Sequence, residues 1–404
     1  MSGSRSLLIR AERAVTLDEG ASCVMDDAAV LVEGDTIRAV GHADEIKAPG
    51  TDVLRLDGMT LLPGLINAHC HLDYTSLRGA LPAGAPFLAW MLSIITAKRR
   101  MRVGDYGASA RAGLDEALRF GTTTVFDVSC EAGRYAVTRV ASETPVRIAF
   151  FGEVLGLNPL TAGRRMRRFR RAFDAAVGDS FIARGMSPHA VYTLSRRLLR
   201  LVERELQSRP MPMSVHVLES SDEPRLRPWC DPKDAVRILD GRGLLSESVL
   251  AVHVNYPSDD DVAVLARRGV SVVHCPGSHR FFGHAPFPAE RLREAGVPIC
   301  LGTDSLASNE QLDMLREMRL FLDAHPAFSN EEALRTATTA PARFLGLDGR
   351  LGVLKAGALA DVVAVPTGGA STGPCGVEEA CASVVRHEGE MPWVMIGGRI
   401  VRHG

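Results

Sequence analysis

The chain has 404 residues, of which 46% are hydrophobic and 24% charged, and its 47 basic and 48 acidic side chains leave a formal net charge of −1. This balance excludes a globally basic nucleic-acid-binding protein and an acidic, solvated tail. The length suits one large domain with a smaller one, and provides enough chain to bury a core.

Sequence features that direct a protein to a membrane or out of the cell are not evident. No run of about 18 apolar residues predicts a membrane span, and the first residues lack the apolar core of a secretion signal. The eight cysteines are scattered without a CxxC pair, which argues against a disulfide framework and a cysteine-ligated zinc site. We therefore expect a cytoplasmic protein without a membrane partner.

Both ends of the chain are rich in short β-strand patterns. Residues 1–58 contain LLIRAERAV, AAVLVEG and TIRAVG, separated by turn residues, and residues 346–404 contain ALADVVAVP and WVMIGGRIVRHG. We expect these two segments to fold together into a small β-sandwich domain.

The middle of the chain, residues 59–345, has a different pattern. Eight short apolar runs alternate with helical stretches, as expected of parallel strands that are covered on both faces. In chain order the runs are LLPGLINAH, TTTVFDV, VRIAFFGEV, ARGMSPHAV, MSVHVLE, LAVHVN, VSVVHC and VPICLGTD. Eight strand–helix repeats predict an α/β fold of the (β/α)8 TIM-barrel type.

One run of arginines, between Gly163 and Ala172, stands out from the neutral background. It is compatible with a phosphate-binding patch or with the solvated face of a surface helix. We favour the helix face, and expect no nucleic-acid partner.

Polar residues occur where several predicted strands end, which is where barrels of this type carry their catalytic groups. His69 and His71 are two apart on the first strand, so both side chains face the same way. Two imidazoles placed in this way can bind one metal ion. The later strands end in His189, His216 with Glu219, His253, His274 and Asp304.

These residues lie within motifs that resemble the amidohydrolase superfamily. PGLINAHCHL at 63–72 resembles its PGLINAHTHL signature. The segments SPHA at 187–190, HVLE at 216–219, HCP at 274–276 and LGTDS at 301–305 resemble its nucleobase- and nucleoside-deaminase branch. LGVLKAGALAD at 351–361 resembles the return into its small β-domain. The resemblance covers nearly the whole chain.

The resemblance implies one divalent metal ion, most simply Zn²⁺, with Fe²⁺ and Mn²⁺ as alternatives. Its implied ligands are His69, His71, His216 and Asp304. Binuclear relatives usually bridge two metals through a carbamylated lysine, but no lysine lies between Lys98 and Lys233. Glu153, at the end of the third strand, is predicted as a substrate contact.

The implied reaction is the hydrolytic deamination of a small heterocyclic amine. Glu219 is the implied proton shuttle, which protonates a ring nitrogen and so activates the neighbouring amino-bearing carbon. His253 is expected to stabilise the charge that develops on the attacking oxygen. Asp304 can accept a proton from the water.

The loop after the first strand directs the prediction of the substrate. It reads Asp73-Tyr-Thr-Ser and continues to Trp90, which can stack on a purine. Deaminases of methylthioadenosine and S-adenosylhomocysteine carry a glutamate shortly after this tryptophan, and this chain has none there. An acid directly after the HxHL motif looks more like aminofutalosine (aminodeoxyfutalosine) deaminases of menaquinone biosynthesis.

Aminofutalosine is therefore the substrate that the sequence favours. Asp73 is expected to bind the sugar, His189 to contact the substrate, and His279 with Arg280 to meet an anionic tail. Alternative reactions are deamination of S-adenosylhomocysteine, methylthioadenosine, guanine or a pterin, chloride removal from a triazine, and cleavage of a cyclic amide. A non-catalytic scaffold is the other class considered, and a homodimer is a family-level expectation.

Overall fold

A computed structural model of the chain describes residues 6–20, 22–81, 84–129, 134–223, 229–368 and 375–403. Residues 1–5, which belong to the segment searched for a secretion signal, lie outside these ranges. The chain divides into two compact units, Met1–Ile66 with Ala117–Thr124 and Asp313–Gly404, and Asn67–Glu116 with Val125–Leu312. The domain limits 1–58, 59–345 and 346–404 stay a prediction.

The strands in the described ranges belong to two sheets. In chain order they are β1 (Ser6–Val15), β2 (Val24–Glu33), β3 (Thr36–His42), β4 (Asp52–Pro63), β5 (Leu65–Cys70), β6 (Thr122–Ser129), β7 (Arg147–Glu153), β8 (Phe181–Ser187), β9 (Met213–Val217), β10 (Val249–His253), β11 (Ser271–His274), β12 (Ile299–Leu301), β13 (Val362–Pro366), β14 (Trp393–Ile396) and β15 (Arg399–His403).

Most of the helices follow barrel strands. In chain order they are α1 (Phe87–Arg100), α2 (Val103–Arg119), α3 (Arg134–Val140), α4 (Ala162–Ala175), α5 (Arg196–Ser208), α6 (Ala235–Gly241), α7 (Asp259–Arg268), α8 (Pro276–Phe282), α9 (Ala289–Glu294), α10 (Met314–Ala324), α11 (Asn330–Thr336), α12 (Thr339–Phe344) and α13 (Val377–Val385). Within these ranges no helix combines the length and the hydropathy that crossing a bilayer requires.

Seven strands from both ends of the chain form one sheet, in the order β15-β14-β13-β4-β1-β2-β3. β1 runs parallel to β4 and antiparallel to β2, and β13 runs antiparallel to β4. A fully buried apolar cluster that includes Ile9, Val30, Leu61, Val362 and Trp393 joins residues from both termini. The predicted small β-domain built from both ends of the chain is confirmed.

The remaining eight strands follow one another in a parallel sheet from β5 to β12. Every residue of β5, β6, β9, β10, β11 and β12 is buried, as expected for strands covered on both faces. A parallel bridge between Cys70 and Asp304 brings the end of β5 next to the residues after β12. The predicted (β/α)8 barrel is confirmed.

Closure of the barrel depends on a glycine. A Cβ at Gly302 would lie 2.7 Å from the carbonyl oxygen of His69, which is closer than real Cβ atoms come. Glycine therefore allows the backbone after β12 to reach β5. The amides of Thr303 and Asp304 then donate to the same His69 carbonyl, which fixes two of the predicted metal ligands against each other.

The arginine run forms most of α4. Met166, Phe169 and Phe173 of this helix are buried, and the spacing of these residues places them on one helical face. Arg167 and Arg168 are exposed. The run therefore supplies the solvated face of an amphipathic helix.

Candidate active site

The residues predicted as metal ligands meet at the carboxyl ends of the barrel strands. One nitrogen from each of His69, His71 and His216 lies within 4.8 Å of the others, and so do ligand atoms of His69, His253 and Asp304. All five side chains are buried. β5, β9, β10 and the residues after β12 each contribute at least one of them, so residues 235 positions apart form one cluster.

The hydrogen bonds of two imidazoles fix which nitrogen faces the cluster. Nδ1 of His71 lies 2.8 Å from the carbonyl oxygen of Val128, and Nδ1 of His216 lies 2.9 Å from that of His189. A carbonyl oxygen only accepts, so both Nδ1 atoms carry the proton. The lone pair of each ring is then on Nε2, the arrangement in which histidine binds metal ions.

His69 provides the clearest test of whether this cluster fits a metal ion. Its side chain is fully buried, and neither ring nitrogen has a hydrogen-bond partner among the described residues. Buried polar atoms are nearly always satisfied, and an ion is one of the groups that can satisfy them. Several neutral imidazoles and a carboxylate form the donor set that suits a divalent transition metal such as zinc.

The carboxylate of Asp304 is held in one orientation. Its Oδ1 faces Nε2 of His69 at 3.6 Å and Nε2 of His71 at 3.7 Å. Its Oδ2 accepts hydrogen bonds from the hydroxyls of Ser278 at 2.7 Å and Ser308 at 2.9 Å. One oxygen therefore faces the cluster while the other is held from behind by two buried serines, which the sequence interpretation had not identified.

Glu219 and His253 lie beside the cluster. Nε2 of His253 is 3.5 Å from Oε1 of Glu219. Burial, followed by the charges of Asp304 and Glu223, raises the pKa of Glu219 well above its usual range. Burial also lowers the pKa of His253 to about 3. A protonated carboxyl beside a neutral imidazole can give a proton to a bound ring.

Several residues at the strand ends adopt a strained backbone. The φ angles of His189, Leu218, His253, Val254 and Asp304 are 24°, 52°, 74°, 49° and 55°. Residues other than glycine rarely adopt these left-handed φ values. Each such residue costs about 1–3 kcal/mol, and such residues concentrate at functional sites. The scaffold therefore holds these positions against their local preference.

A cavity of about 160 Å³ opens onto the cluster. Of the predicted substrate contacts, Trp90, Glu153 and His189 line it. Trp90 donates from Nε1 to the carbonyl of Ala307 at 3.3 Å. The other lining residues are His71, Tyr74, Phe87, Met91, Ile94, Ile95, Lys98, Leu155, Tyr192, Thr193, His216, Glu219, His253, Asp304 and Ser305.

Glu153 faces this cavity with an unsatisfied atom. Its Oε1 lies 4.0 Å from Nε2 of His189, and its buried Oε2 has no hydrogen-bond partner among the described residues. Its side chain is only 2% exposed. A buried carboxylate oxygen in this position can accept a hydrogen bond from a ligand.

Three predicted substrate contacts lie elsewhere. Asp73 is fully buried, and it does not line the cavity. His279 bonds through Nδ1 to the Asn255 side chain at 3.2 Å, and Arg280 is exposed. Neither lines the cavity. The assignment of these three residues to the substrate therefore stays a prediction.

Lys98 lines the cavity, although the sequence interpretation did not assign it to the site. Its ammonium lies 4.7 Å from the centre of the Tyr74 ring and donates a hydrogen bond to the Tyr74 hydroxyl. The available signal was the rarity of lysine, since Lys98 is one of four in the chain. The sequence interpretation used that rarity only to exclude a lysine bridge between two metals.

Barrels in which histidines and an aspartate from different strand ends surround one point form a class of metal-dependent hydrolases. The sequence profile of the Amidohydrolase family matches residues 60–401 of the chain. The chain belongs to the amidohydrolase family, as the motifs predicted. It is a hydrolase that acts on carbon–nitrogen bonds.

Individual relatives share both sequence and fold. The chain is 31% identical to a 5-methylthioadenosine/S-adenosylhomocysteine deaminase of Pyrococcus furiosus over 83% of this chain and 81% of the relative. The solved structure of an adenosine deaminase from Xanthomonas campestris, with bound zinc, is 26% identical and has a TM-score of 0.84, covering 99% and 93% of the two chains.

An aminofutalosine deaminase of Helicobacter pylori shares the fold at a greater distance. That structure is 20% identical to this chain and has a TM-score of 0.79, covering 98% of this chain and 99% of the other. At this identity the likeness concerns the fold alone. The expectation that aminofutalosine is the substrate is not confirmed by it.

Proposed function

We propose that this protein catalyses the metal-dependent hydrolytic deamination of an adenine nucleoside. The observation that supports this proposal most directly is that Glu219 and His253 face the same cavity as the cluster of predicted metal ligands. Deamination of an aromatic amidine requires a proton donor for the ring nitrogen close to the attacking water, and Glu219, beside the predicted metal ligands, would be that donor.

His69, His71, His216 and Asp304 would hold the metal ion, for which we propose Zn²⁺. When bound, the ion supplies a water whose pKa is lowered from ~15.7 to about 7. The residues beside it perform the remaining proton transfers. Glu219 delivers a proton to the ring nitrogen next to the amino-bearing carbon, and Asp304 accepts one from the water.

The later steps of the proposed reaction, from the tetrahedral carbon to the products, also use residues that line the cavity. His253 stabilises the charge on the oxygen as the carbon becomes tetrahedral. The bond between this carbon and the amino nitrogen then breaks, the nitrogen leaves with a proton as ammonia, and a carbonyl forms on the ring. Trp90 is the residue we assign to the purine face, and the free Oε2 of Glu153 to a sugar hydroxyl.

The choice among adenine nucleosides rests on two observations. Relatives at 30–32% identity are deaminases of methylthioadenosine and S-adenosylhomocysteine, which favours a 5′-substituted adenosine. Asp73, His279 and Arg280, on which the preference for aminofutalosine rested, do not line the cavity. Aminofutalosine, and with it menaquinone biosynthesis, is therefore the second candidate.

Ammonia release by metal-loaded protein tests the proposal. The panel contains adenosine, methylthioadenosine, S-adenosylhomocysteine, aminofutalosine, guanine, a pterin and a chlorotriazine. We expect turnover of at least one adenosine derivative and its loss in Glu219→Gln, while Glu247→Gln, which removes an exposed carboxylate, retains it. Turnover of guanine, the pterin or the triazine alone would contradict the proposal.

A further inference from the structure

Two buried polar side chains hold the backbone of Glu219 in place. The amide of Glu219 donates to Oε1 of Glu223 at 3.0 Å. The carbonyl oxygen of the same residue accepts a hydrogen bond from Nδ2 of Asn255 at 2.8 Å. Both Glu223 and Asn255 are buried. Side chains therefore bind both backbone polar groups of the residue to which we assign the proton transfer.

The backbone before Glu219 explains why this residue needs such partners. β9 ends at Val217, and Leu218 then adopts a left-handed φ of 52°. The amides of Asn255 and Tyr256 both donate to the carbonyl oxygen of Leu218, at 3.0 and 3.3 Å. A left-handed residue interrupts the alternation of a strand, so β9 alone does not determine the direction of the Glu219 side chain. Glu223 and Asn255 supply the hydrogen bonds that a continued strand would have supplied.

A tight turn brings Glu223 back to Glu219. The amide of Glu223 donates to the carbonyl oxygen of Ser220 at 3.2 Å, and the amide of Asp222 donates to the Ser220 hydroxyl at 3.1 Å. The turn returns the carboxyl of Glu223 to the backbone four residues earlier. Because Glu223 is only 2% exposed, water does not readily take the place of its carboxyl oxygen.

The side-chain amide of Asn255 is oriented from its other end as well. A carbonyl oxygen only accepts, so the nitrogen Nδ2 faces Glu219 and the oxygen Oδ1 faces away from it. Oδ1 lies 3.2 Å from Nδ1 of His279, which therefore carries the proton of this hydrogen bond. His279 belongs to α8. Residues from two further parts of the barrel thus contribute to the position of Glu219.

We infer that Glu223 and Asn255 are positioning residues for the proton transfer by Glu219. This inference rests on the proposed deamination of an adenine nucleoside, in which Glu219 delivers a proton to the ring nitrogen. Glu219 lines the candidate active-site cavity, whereas Glu223 and Asn255 do not, so both act through the backbone of Glu219. A proton donor must lie within hydrogen-bond reach of its acceptor, and a displacement of about 1 Å can lower a rate by about 100-fold.

Steady-state kinetics of matched variants of the metal-loaded protein test the inference. Glu223→Ala removes the acceptor of the Glu219 amide, whereas Glu223→Gln keeps an acceptor oxygen on a side chain of the same length. Glu116→Ala is the control. Glu116 is also buried, its Oε1 accepts a hydrogen bond from the amide of Leu312 at 3.1 Å, and it does not line the cavity.

The expected loss lies in kcat. On the adenine nucleoside that the wild type deaminates fastest, Glu223→Ala should lower kcat by about 10- to 100-fold and leave KM and metal content almost unchanged, since an interaction made only in the transition state is weakened. Glu223→Gln should recover most of the loss, and Glu116→Ala should keep the wild-type kcat. Combined with Glu219→Gln, Glu223→Ala should lower kcat no further, because residues that act as one unit are not additive.

Several results would overturn the inference. Wild-type kcat in folded Glu223→Ala is one, and equal losses in Glu223→Ala and Glu223→Gln are another, because they would assign the effect to the charge of the carboxyl. A further loss on the Glu219→Gln background, or an equal loss in Glu116→Ala, would assign Glu223 a purely structural role.

A second variant decides if Glu223→Ala does not fold. Asn255→Ala removes the donor to the Glu219 carbonyl oxygen, and it should lower kcat with KM almost unchanged. Wild-type kcat in this variant would then overturn the inference. Absence of turnover by the wild type on every adenosine derivative would instead overturn the proposed function itself.

Discussion

Two serines behind Asp304 allow the metal site to be tested through residues that touch neither metal nor substrate. The hydroxyls of Ser278 and Ser308 both donate to Oδ2 of Asp304, and they lie 3.0 Å from each other. Their side chains are 1% and 0% exposed. Water therefore does not readily replace either hydroxyl. Ser278→Ala and Ser308→Ala each leave Oδ2 with one donor, and the double variant leaves it with none.

The expected magnitude follows from the number of donors that are lost. Removal of a hydrogen-bond partner that orients a metal-binding side chain typically lowers metal affinity by about 10- to 100-fold. We expect a loss of about 10-fold in zinc affinity for each single variant and about 100-fold for the double variant. The larger effect corresponds to about 2.7 kcal/mol, within the range for hydrogen bonds to a charged group.

Competition with a chromophoric chelator measures zinc affinity without any substrate. Ser109→Ala is the matched control, because Ser109 is 1% exposed and accepts a hydrogen bond from the Ser76 amide away from the cluster. The thermal midpoint identifies variants that merely unfold. Wild-type zinc affinity in a folded double variant would refute the assignment of Asp304 as a ligand oriented by these serines.

Three further predictions concern separate parts of the chain. Glu219→Gln should lower kcat by about 10²- to 10⁴-fold with metal content unchanged, as metal analysis and ammonia release will show. Gly64→Ala places a Cβ 2.2 Å from Oγ1 of Thr123 and should lower the free energy of unfolding by about 1–3 kcal/mol in urea titrations. A hydrogen bond from Cys381 lowers the pKa of Cys23 to about 7, so alkylation of Cys23, followed by peptide mass spectrometry, should increase with a midpoint near pH 7.

Each of these three predictions can be contradicted by a specific result. Loss of metal from Glu219→Gln would assign that residue to the ligand set and contradict its role as a proton donor. Gly104→Ala, whose Cβ meets nothing within 4 Å, should leave stability almost unchanged, and an equal loss in both variants would refute the clash. Burial raises the pKa of Cys230, so equal alkylation of Cys230 and Cys23 at pH 7 would contradict the third prediction.

The barrel was predictable because its strands carry a simple signal. Strands covered on both faces need continuous apolar runs, and all eight runs became strands of the barrel. Alternation along β5 placed His69 and His71 on one side, where the structure also has them. The cluster could therefore be assembled from sequence, since the ends of neighbouring parallel strands meet at one edge.

Residues predicted as substrate contacts lie outside the cavity lining where the chain leaves the strands. β5 ends at Cys70 and a 3₁₀ helix begins at Leu72. The alternation therefore reaches no further than His71, and Asp73 does not continue the pattern of His69 and His71. On α8, Ser278 faces Asp304. The next two helical positions turn by about 100° each, which directs His279 and Arg280 elsewhere.

Lys98 was missed for a related reason. The segment after the first strand was interpreted as a loop across the site, whereas residues Phe87–Arg100 form a helix. The inward side of a helix depends on the partners against which it packs. Those partners, which include Phe282, are distant in sequence and give no local signal.

The groups of the proposed reaction and much of the remaining cavity wall lie on separate stretches of chain. The former lie at or just after strand ends, and two of them, His253 and Asp304, hold left-handed φ angles that most residues rarely adopt. Trp90, Met91, Ile94, Ile95 and Lys98 lie on the 14 residues of α1. If the proposed function holds, we expect mutations within this single helix to change which nucleoside is accepted while the groups of the proposed reaction stay in place.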